Sequence, residues 1–199
     1  MSIEVSRIMR SQEKEKKDTE KIIADTFKEL LLKNSMEKIT VKEICEKAGI
    51  IRPTFYNHFA DKYEVLEYII RTDILEPIKP LLFNNMMTAA YTLLLTNIGN
   101  DIEFYKRAVM IVGQNSFSNI SISLDNELLV ETIEKLHPVH HFRYSWMSRE
   151  MLAEYYANTM CYIAINWIKR DFMVSPDELS EIFDYISSHS IIDIFNDIV

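Results

Sequence analysis

Five side chains that can hydrogen bond to nucleic acid stand within seven consecutive residues of this chain. They are Arg52, Thr54, Tyr56, Asn57 and His58. An arginine can bind two guanine acceptors or a phosphate, and an asparagine can pair with an adenine edge. Hydroxyl groups and an imidazole can bond to phosphate oxygens, which fixes register without reading the base sequence. If one helix presents all five on the same outer face, that face is suited to the major groove of DNA.

Two short helices around a glycine are expected to position these side chains. Thr40 is a suitable cap for the first helix, and Gly49 ends it where a residue without Cβ costs least. Pro53 stands in the first turn of the second helix, where its missing N–H costs nothing. Phe55 and Phe59 are expected to face inward. Two helices joined in this way form a helix-turn-helix. The alternative is a surface helix that happens to be polar, which the turn and the core pattern disfavour.

At these residues the chain resembles the DNA-binding domain of TetR-type bacterial transcription regulators. The pattern T-V-x-x-I-x-x-x-A-G-I-x-x-x-T-F-Y-x-H-F-x-x-K runs from residue 40 to residue 62, and the likeness covers about residues 14 to 72. The resemblance implies a recognition helix and groove contacts formed by Arg52, Pro53, Thr54, Tyr56, Asn57 and His58. It implies positions near phosphates for Thr40, Lys42 and Lys62.

Two residues depart from the family pattern. Ile51 stands where the family often has a serine that caps the recognition helix, so we expect that cap to be absent. Asn57 stands where a larger basic or aromatic residue is common. Both departures concern which operator sequence is bound, and neither removes the expected activity.

The composition predicts an all-α chain. Glycine occurs 3 times and proline 5 times in 199 residues, and strong helix formers are frequent. We predict about nine helices, divided between an N-terminal three-helix DNA-binding domain and a C-terminal helical bundle. The expected boundaries are a flexible tail at 1–13, the helix-turn-helix domain at 14–60, a connecting helix at 61–77, and a ligand-binding and dimerisation domain at 78–199.

Charge is divided unevenly along the chain. The net charge of −8 is the sum of +1 over residues 1–72 and −9 over residues 73–199. The acidic part need not touch DNA, so non-specific DNA affinity is expected to be weak and steeply salt-dependent. No charge-free window is long enough to span a bilayer, and the first residues are polar, which predicts a cytoplasmic protein without membrane contact. Cys45 and Cys161 are expected to be free and buried.

The last two long helices carry more apolar side chains than a small domain usually needs. An exposed apolar patch of this size would be a liability in a monomer, so we predict a two-fold homodimer with a four-helix interface. The alternative is that both bands are ordinary core. The predicted interface residues are Tyr155, Tyr156, Ile163, Trp167, Ile182, Phe183 and Ile186.

The C-terminal half resembles the branch of the TetR family that includes regulators of dihydroxyacetone kinase operons. The likeness covers about residues 100 to 186 and is weaker, because its positions are mostly apolar and helical. It is carried by the runs 104–106, 164–168 and 175–179. The resemblance implies a domain that binds a ligand or a partner, but it fixes neither the ligand nor whether the protein represses or activates.

Other site chemistry has weaker support. If a ligand pocket exists it should be apolar with a few polar groups, and the candidates are Asn84, Tyr91, Phe104, Gln114 and Asn166. The same aromatic residues could equally form plain core. His137, His140 and His141 could supply two zinc ligands, although such a cluster is more often solvated. The chain carries no catalytic motif, so we expect neither an enzyme nor a cofactor.

We therefore predict a dimeric, ligand-responsive transcription regulator that binds a double-stranded DNA operator. A small molecule or partner bound in the second domain would shift the fourth helix and change the distance between the two recognition helices. The alternative is an interaction module that keeps this fold but acts through a partner regulator rather than an operator.

Overall fold

The computed structural model describes residues 2–138 and 141–198, with side chains described from Glu13 onward. Within these residues the regular elements are all helical, which confirms the predicted fold class. The helices are α1 (Ser2–Lys33), α2 (Val41–Ala48), α3 (Arg52–Tyr56), α4 (Lys62–Ile70), α5 (Glu76–Leu82), α6 (Met87–Gly99), α7 (Ile102–Ala108), α8 (Phe117–Leu136), α9 (Arg149–Lys169), α10 (Pro176–Ser188) and α11 (Ile191–Asn196), with a 3₁₀ turn at Met36–Lys38 and a π-helical segment at Arg71–Leu75.

The first helix begins earlier than the sequence suggested. The sequence predicted a flexible tail at 1–13, but α1 is already helical at Ser2. Thr19 does not cap the helix, since its hydroxyl donates to the carbonyl of Glu15 inside it, 2.9 Å away. The segment before Asp18 contains neither glycine nor proline, so nothing in it opposes helix formation.

Two prolines are accommodated within helical structure rather than ending it. Pro77 and Pro80 both lie in α5. The π-helical segment precedes them, and the N–H of Glu76 bonds to the carbonyl of Arg71, five residues earlier. A proline ring clashes with the carbonyl four residues before it, and a wider turn relieves that crowding. The chain instead turns at Asn85, whose φ of 57° is left-handed.

The C-terminal segment after Ser175 forms two helices, α10 and α11, rather than one long helix. α10 ends at Ser188 because His189 is extended, and Ser190 begins α11 as its cap. The hydroxyl of Ser190 accepts from the N–H of Asp193, and the carboxylate of Asp193 accepts from the N–H of Ser190. This reciprocal pair is a capping box, so the break is encoded locally.

The chain divides into two compact units, Met1–Ile69 and Ile70–Val199. The division falls inside the segment 61–77 that was predicted to connect two domains. The core of the first unit is formed by α1, α2, α3 and α4, and includes Ile23, Phe27, Ile44, Phe55 and Leu66. Ile22 on α1 is half exposed, whereas Ala24 belongs to the buried face of that helix.

In the second unit α8 packs against α9, and α6 packs against α10. Small residues on α9 allow close approach, since Ala153, Ala157, Cys161 and Ala164 recur at helical spacing and are all buried. The hydroxyl of Thr92 on α6 donates to the hydroxyl of Ser180 on α10 at 2.9 Å. Both cysteines are buried and free, as predicted. None of the helices in the described part of the chain is long and apolar enough to cross a bilayer.

Candidate functional site

The helix that precedes the turn is fixed by its own cap. The side chain of Thr40 accepts from the N–H of Glu43 at 3.2 Å, and the Glu43 carboxylate accepts from the N–H of Thr40 at 2.8 Å. These bonds satisfy two backbone donors that the first turn of α2 would leave unpaired. The side-chain hydrogen bond from Thr40 also lowers the pKa of Glu43. Thr40 is therefore a structural cap as well as an exposed residue at the predicted DNA surface.

The turn itself depends on Gly49. Its φ of 70° and ψ of 29° lie in the left-handed region, where a side chain would be strained, although a Cβ there would meet nothing within 4 Å. The N–H of Ile50 then bonds back to the carbonyl of Cys45 at 3.0 Å. The pattern of bonds closes α2 and redirects the chain into α3.

Two phenylalanines anchor the short helix α3. Phe55 is completely buried and Phe59 nearly so, and their rings lie 6.0 Å apart. Ile51 precedes the helix without any side-chain capping bond, which confirms the absent cap expected from the sequence. Five residues make too short a helix to be stable alone, so α3 owes its position to these two rings.

The outer side of α3 is open to solvent. Arg52, Pro53, Tyr56 and Asn57 are exposed, and Thr54 is half exposed. Lys42 on α2 is also exposed, and its ammonium lies 3.6 Å from Glu46 in a surface pair that a phosphate can displace. We call the following set the recognition surface: Thr40, Lys42, Arg52, Pro53, Thr54, Tyr56 and Asn57.

His58 does not belong to that surface. Its side chain is only 12% exposed, and Nδ1 lies 3.4 Å from a carboxylate oxygen of Glu20 on α1. The expectation that it faces outward assumed a helix through Phe59, but α3 ends at Tyr56 and the chain turns before His58. No local sequence pattern marks Glu20 as its partner.

Lys62 was predicted to contact phosphate, yet its ammonium is engaged within the protein. It donates to the carbonyls of Met36 at 2.7 Å and Ile39 at 2.8 Å. These carbonyls belong to the turn before α2, so Lys62 ties the start of α4 to the helix-turn-helix. We propose the recognition surface as the set of DNA contacts, with Lys62 and His58 as residues that hold it in position.

The predicted pocket residues of the second unit do not come together. Asn84 is exposed and its amide donates to the carbonyl of Pro80, Gln114 is exposed, and Phe104 is completely buried core. Asn166 lines an open groove between α8 and α9. Only Tyr91 of this set lines the cavity described next.

The second unit contains a largely apolar cavity of about 450 Å³. We call it the apolar cavity; it is lined by Leu82, Met87, Tyr91, Leu129, Ile133, His137, Phe142, Leu152, Ala153, Tyr156, Met160, Phe183, Asp184 and Ser187. Its size falls in the range of small-molecule sites, about 300–1,000 Å³. Sequence reasoning missed most of this lining because it is drawn from five different helices, α5, α6, α8, α9 and α10, and from the segment between α8 and α9.

A second cavity of about 30 Å³ shares Tyr91 and Met160 with the first. We call it the small cavity. Asp125 lines it, and the thiol of Cys161 donates to its Oδ2 at 3.0 Å. The hydroxyl of Ser121, also in the wall, is buried without a hydrogen-bond partner. Burial raises the pKa of Asp125 to about 6, and the thiol bond offsets part of that effect.

The raised pKa of Asp125 predicts a pH-dependent stability. The folded state binds this proton more tightly than the unfolded state, whose pKa is near 3.8. The stabilisation of the folded state by protonated Asp125 is therefore complete below about pH 4. It is lost as the pH rises through about 6, and the loss amounts to about 2–3 kcal/mol in total. Asp125→Asn should remove this dependence. Urea unfolding at several pH values, followed by tryptophan fluorescence, checks it, and stability curves that stay parallel for both proteins would contradict it.

The predicted interface residues divide into two groups. Tyr155, Tyr156, Ile182 and Ile186 are exposed, and Ile163 is half buried. Trp167 is 5% exposed and donates to the carbonyl of Val174, so it belongs to the core of its own unit. Phe183 is half buried, with its ring 4.6 Å from that of Tyr91. Composition alone could not separate the two faces of these helices.

The structure describes only part of the histidine cluster that was considered as a zinc site. His140 lies outside the described residues, whereas His137 and His141 are described. In the part of the chain that the structure describes, no three His, Cys, Asp or Glu side chains come together as metal ligands.

Two regions of the chain match known protein families. Residues 23–69 match the profile of "Bacterial regulatory proteins, tetR family", and residues 85–189 match that of "Transcriptional regulator C-terminal region". The chain is 27% identical over 168 residues to the HTH-type dhaKLM operon transcriptional activator DhaS of Lactococcus lactis subsp. lactis (strain IL1403), which covers 84% of this chain and 86% of that protein.

Solved structures agree with this assignment. The dihydroxyacetone kinase operon activator DhaS superimposes with a TM-score of 0.54 at 27% identity, over 82% of this chain and 90% of that one. A TetR transcriptional regulator from Streptococcus agalactiae 2603V gives a TM-score of 0.54 over 88% and 96% of the two chains, and at 14% identity it shows the fold alone. Since the two matched regions together span most of its length, this chain belongs to the TetR family of DNA-binding bacterial transcription regulators.

Proposed function

We propose that this regulator binds a two-fold symmetric operator as a homodimer, and that a small molecule in the apolar cavity changes its operator affinity. The observation that carries the proposal is the open side of α3, where Arg52, Tyr56 and Asn57 are all exposed within six consecutive residues. Arginine and asparagine side chains can each bond to base edges in two places, and tyrosine can bond to phosphate.

The dimer is supported by apolar residues that the single chain leaves in solvent. Tyr155 on α9 is 60% exposed, and Ile182 and Ile186 on α10 are 38% and 44% exposed. One recognition helix reads only a few base pairs, whereas two that are one helical turn of DNA apart multiply the specificity.

Ile186→Glu should therefore weaken self-association by about 100-fold, because a carboxylate would be buried at the interface without a partner. Sedimentation equilibrium measures the change. Met110→Glu is the control, since it adds the same charge at a residue that is 68% exposed in the turn after α7 and is not among the predicted interface residues. Equal association of both variants and the unchanged protein would count against this interface.

Coupling between ligand and operator would follow a route along the chain. Ile74 and Leu75 of the π-helical segment line the small cavity, and this segment follows α4 directly in sequence. Tyr91 and Met160 separate the small cavity from the apolar cavity. A ligand that moves these two side chains would thus bias the segment that continues into the DNA-binding unit, and a ligand shifts the equilibrium only by its differential affinity for the two states.

Footprinting on the DNA upstream of the protein's own gene tests the proposal. We expect protection of two related half-sites whose centres are one or more helical turns apart, about 34–36 Å each. Uniform protection without a preferred sequence, or none at low salt, would overturn the proposal that this DNA is an operator.

A further inference from the structure

We infer that the effector of this regulator is a lipophilic cation, held in the apolar cavity by aromatic rings and the carboxylate of Asp184. The inference rests on the proposed function and adds the chemical class of the ligand to it. Three features of the cavity support this assignment: its rings, its charges and its neighbour.

Aromatic side chains surround the apolar cavity. Tyr91, Phe142, Tyr156 and Phe183 all contribute to its wall. The Tyr91 and Phe183 rings contact each other, with a tilt of 44° and a centroid distance of 4.6 Å, so these two wall residues form one aromatic cluster. Ring faces attract cations, most strongly where water is excluded. Met87 and Met160 add polarizable sulfur, which adapts to ligands of different shape.

The ionisable groups of the wall favour a positive ligand. Asp184 on α10 contributes a carboxylate, and the described residues of the wall include neither lysine nor arginine. The hydroxyl of Thr88 donates to Oδ2 of Asp184 at 2.7 Å and so fixes the orientation of the carboxylate. An anion would enter this site without a lysine or arginine to compensate its lost hydration, which is costly. His137 also lines the wall, at the C-terminal end of α8.

The small cavity also has an acidic group in its wall. Asp125 lies behind the wall formed by Tyr91 and Met160, and again no lysine or arginine is among the described residues that line this cavity. The residues from 73 onward carry a net charge of −9. Carboxyl groups in the walls of both cavities that share Tyr91, together with this net charge, favour a cation over an anion.

Two probes of matched shape and opposite charge test the inference. Tetraphenylphosphonium and tetraphenylborate are titrated into the full-length protein by calorimetry. We expect tetraphenylphosphonium to bind and tetraphenylborate to bind at least about tenfold more weakly. Asp184→Asn should weaken tetraphenylphosphonium binding by about tenfold, whereas Glu181→Gln, three residues earlier on α10 and exposed, should leave it within about twofold.

A second variant separates ring chemistry from folding. Phe183→Leu keeps an apolar side chain but removes a ring face, so it should also weaken binding of the cation while its circular dichroism remains that of the unchanged protein. Equal binding of both probes, or binding that is insensitive to Asp184, overturns the cation assignment. Because the footprint on operator DNA is measured without any probe, it can succeed when the cation assignment fails, and the two failures are distinguishable.

Discussion

Arg52→Ala is expected to weaken operator binding by about 10- to 100-fold, because a bidentate arginine–guanine contact contributes about 1–3 kcal/mol. Arg52 is exposed at the start of α3, so its removal should leave the free energy of unfolding nearly unchanged. A gel-shift titration against the footprinted operator measures the effect. Tyr56→Phe should cause a smaller loss, since it deletes one phosphate bond and keeps the ring.

The control for Arg52→Ala must also remove one positive charge. Arg107→Ala does so at an exposed position of α7 in the second unit, and it should change operator affinity by less than about twofold at physiological salt. If Arg107→Ala and Arg52→Ala weaken operator binding equally, the loss of affinity comes from the change in net charge, and the base contact proposed for Arg52 is wrong.

Phe55→Ala is expected to cost about 3–5 kcal/mol of stability in the first unit, the usual range for deleting a buried ring. Phe55 is completely buried and contacts the Tyr56 and Phe59 rings at centroid distances of 5.5 and 6.0 Å. α3 has only five residues and no side-chain cap, so the loss of this anchor should also abolish operator binding.

The two units can be followed separately in this experiment. Both tryptophans, Trp146 and Trp167, lie in the second unit, so their fluorescence reports on it alone. Circular dichroism at 222 nm reports on all the helices. Phe55→Ala should lower the urea midpoint seen by circular dichroism and leave the fluorescence transition in place. The neighbouring Tyr56→Ala, which truncates an exposed ring, is the control and should move neither by much. A Phe55→Ala protein as stable as this control would show that the ring does not anchor α3.

The helix-turn-helix was predictable because its determinants are local. Thr40 and Glu43 cap one another across three residues, and Gly49 is required by a backbone angle. Phe55 and Phe59 lie one helical turn apart. Each of these signals is complete within a short window, so the pattern of residue types identifies the element and its inner face. The all-helical fold follows for the same reason.

Features that depend on distant residues could not be predicted. His58 turns inward, where its Nδ1 lies 3.4 Å from a carboxylate oxygen of Glu20, 38 residues earlier in the chain. The ammonium of Lys62 donates to two carbonyls that are more than 20 residues away in sequence. Trp167 was assigned to an interface because its helix is apolar on a wide band, and only the packing shows which side is covered. The apolar cavity likewise joins residues from α5 to α10, whose alignment in space no periodicity encodes.

The central claim is that the outward side chains of α3 read DNA sequence, and selection of bound fragments from a random DNA pool tests it most directly. The unchanged protein should enrich a two-fold symmetric motif. Arg52→Ala should enrich a motif that has lost its preference at one base pair in each half-site while the other positions remain. Identical motifs from both proteins, or no enrichment by the unchanged protein, would contradict the claim.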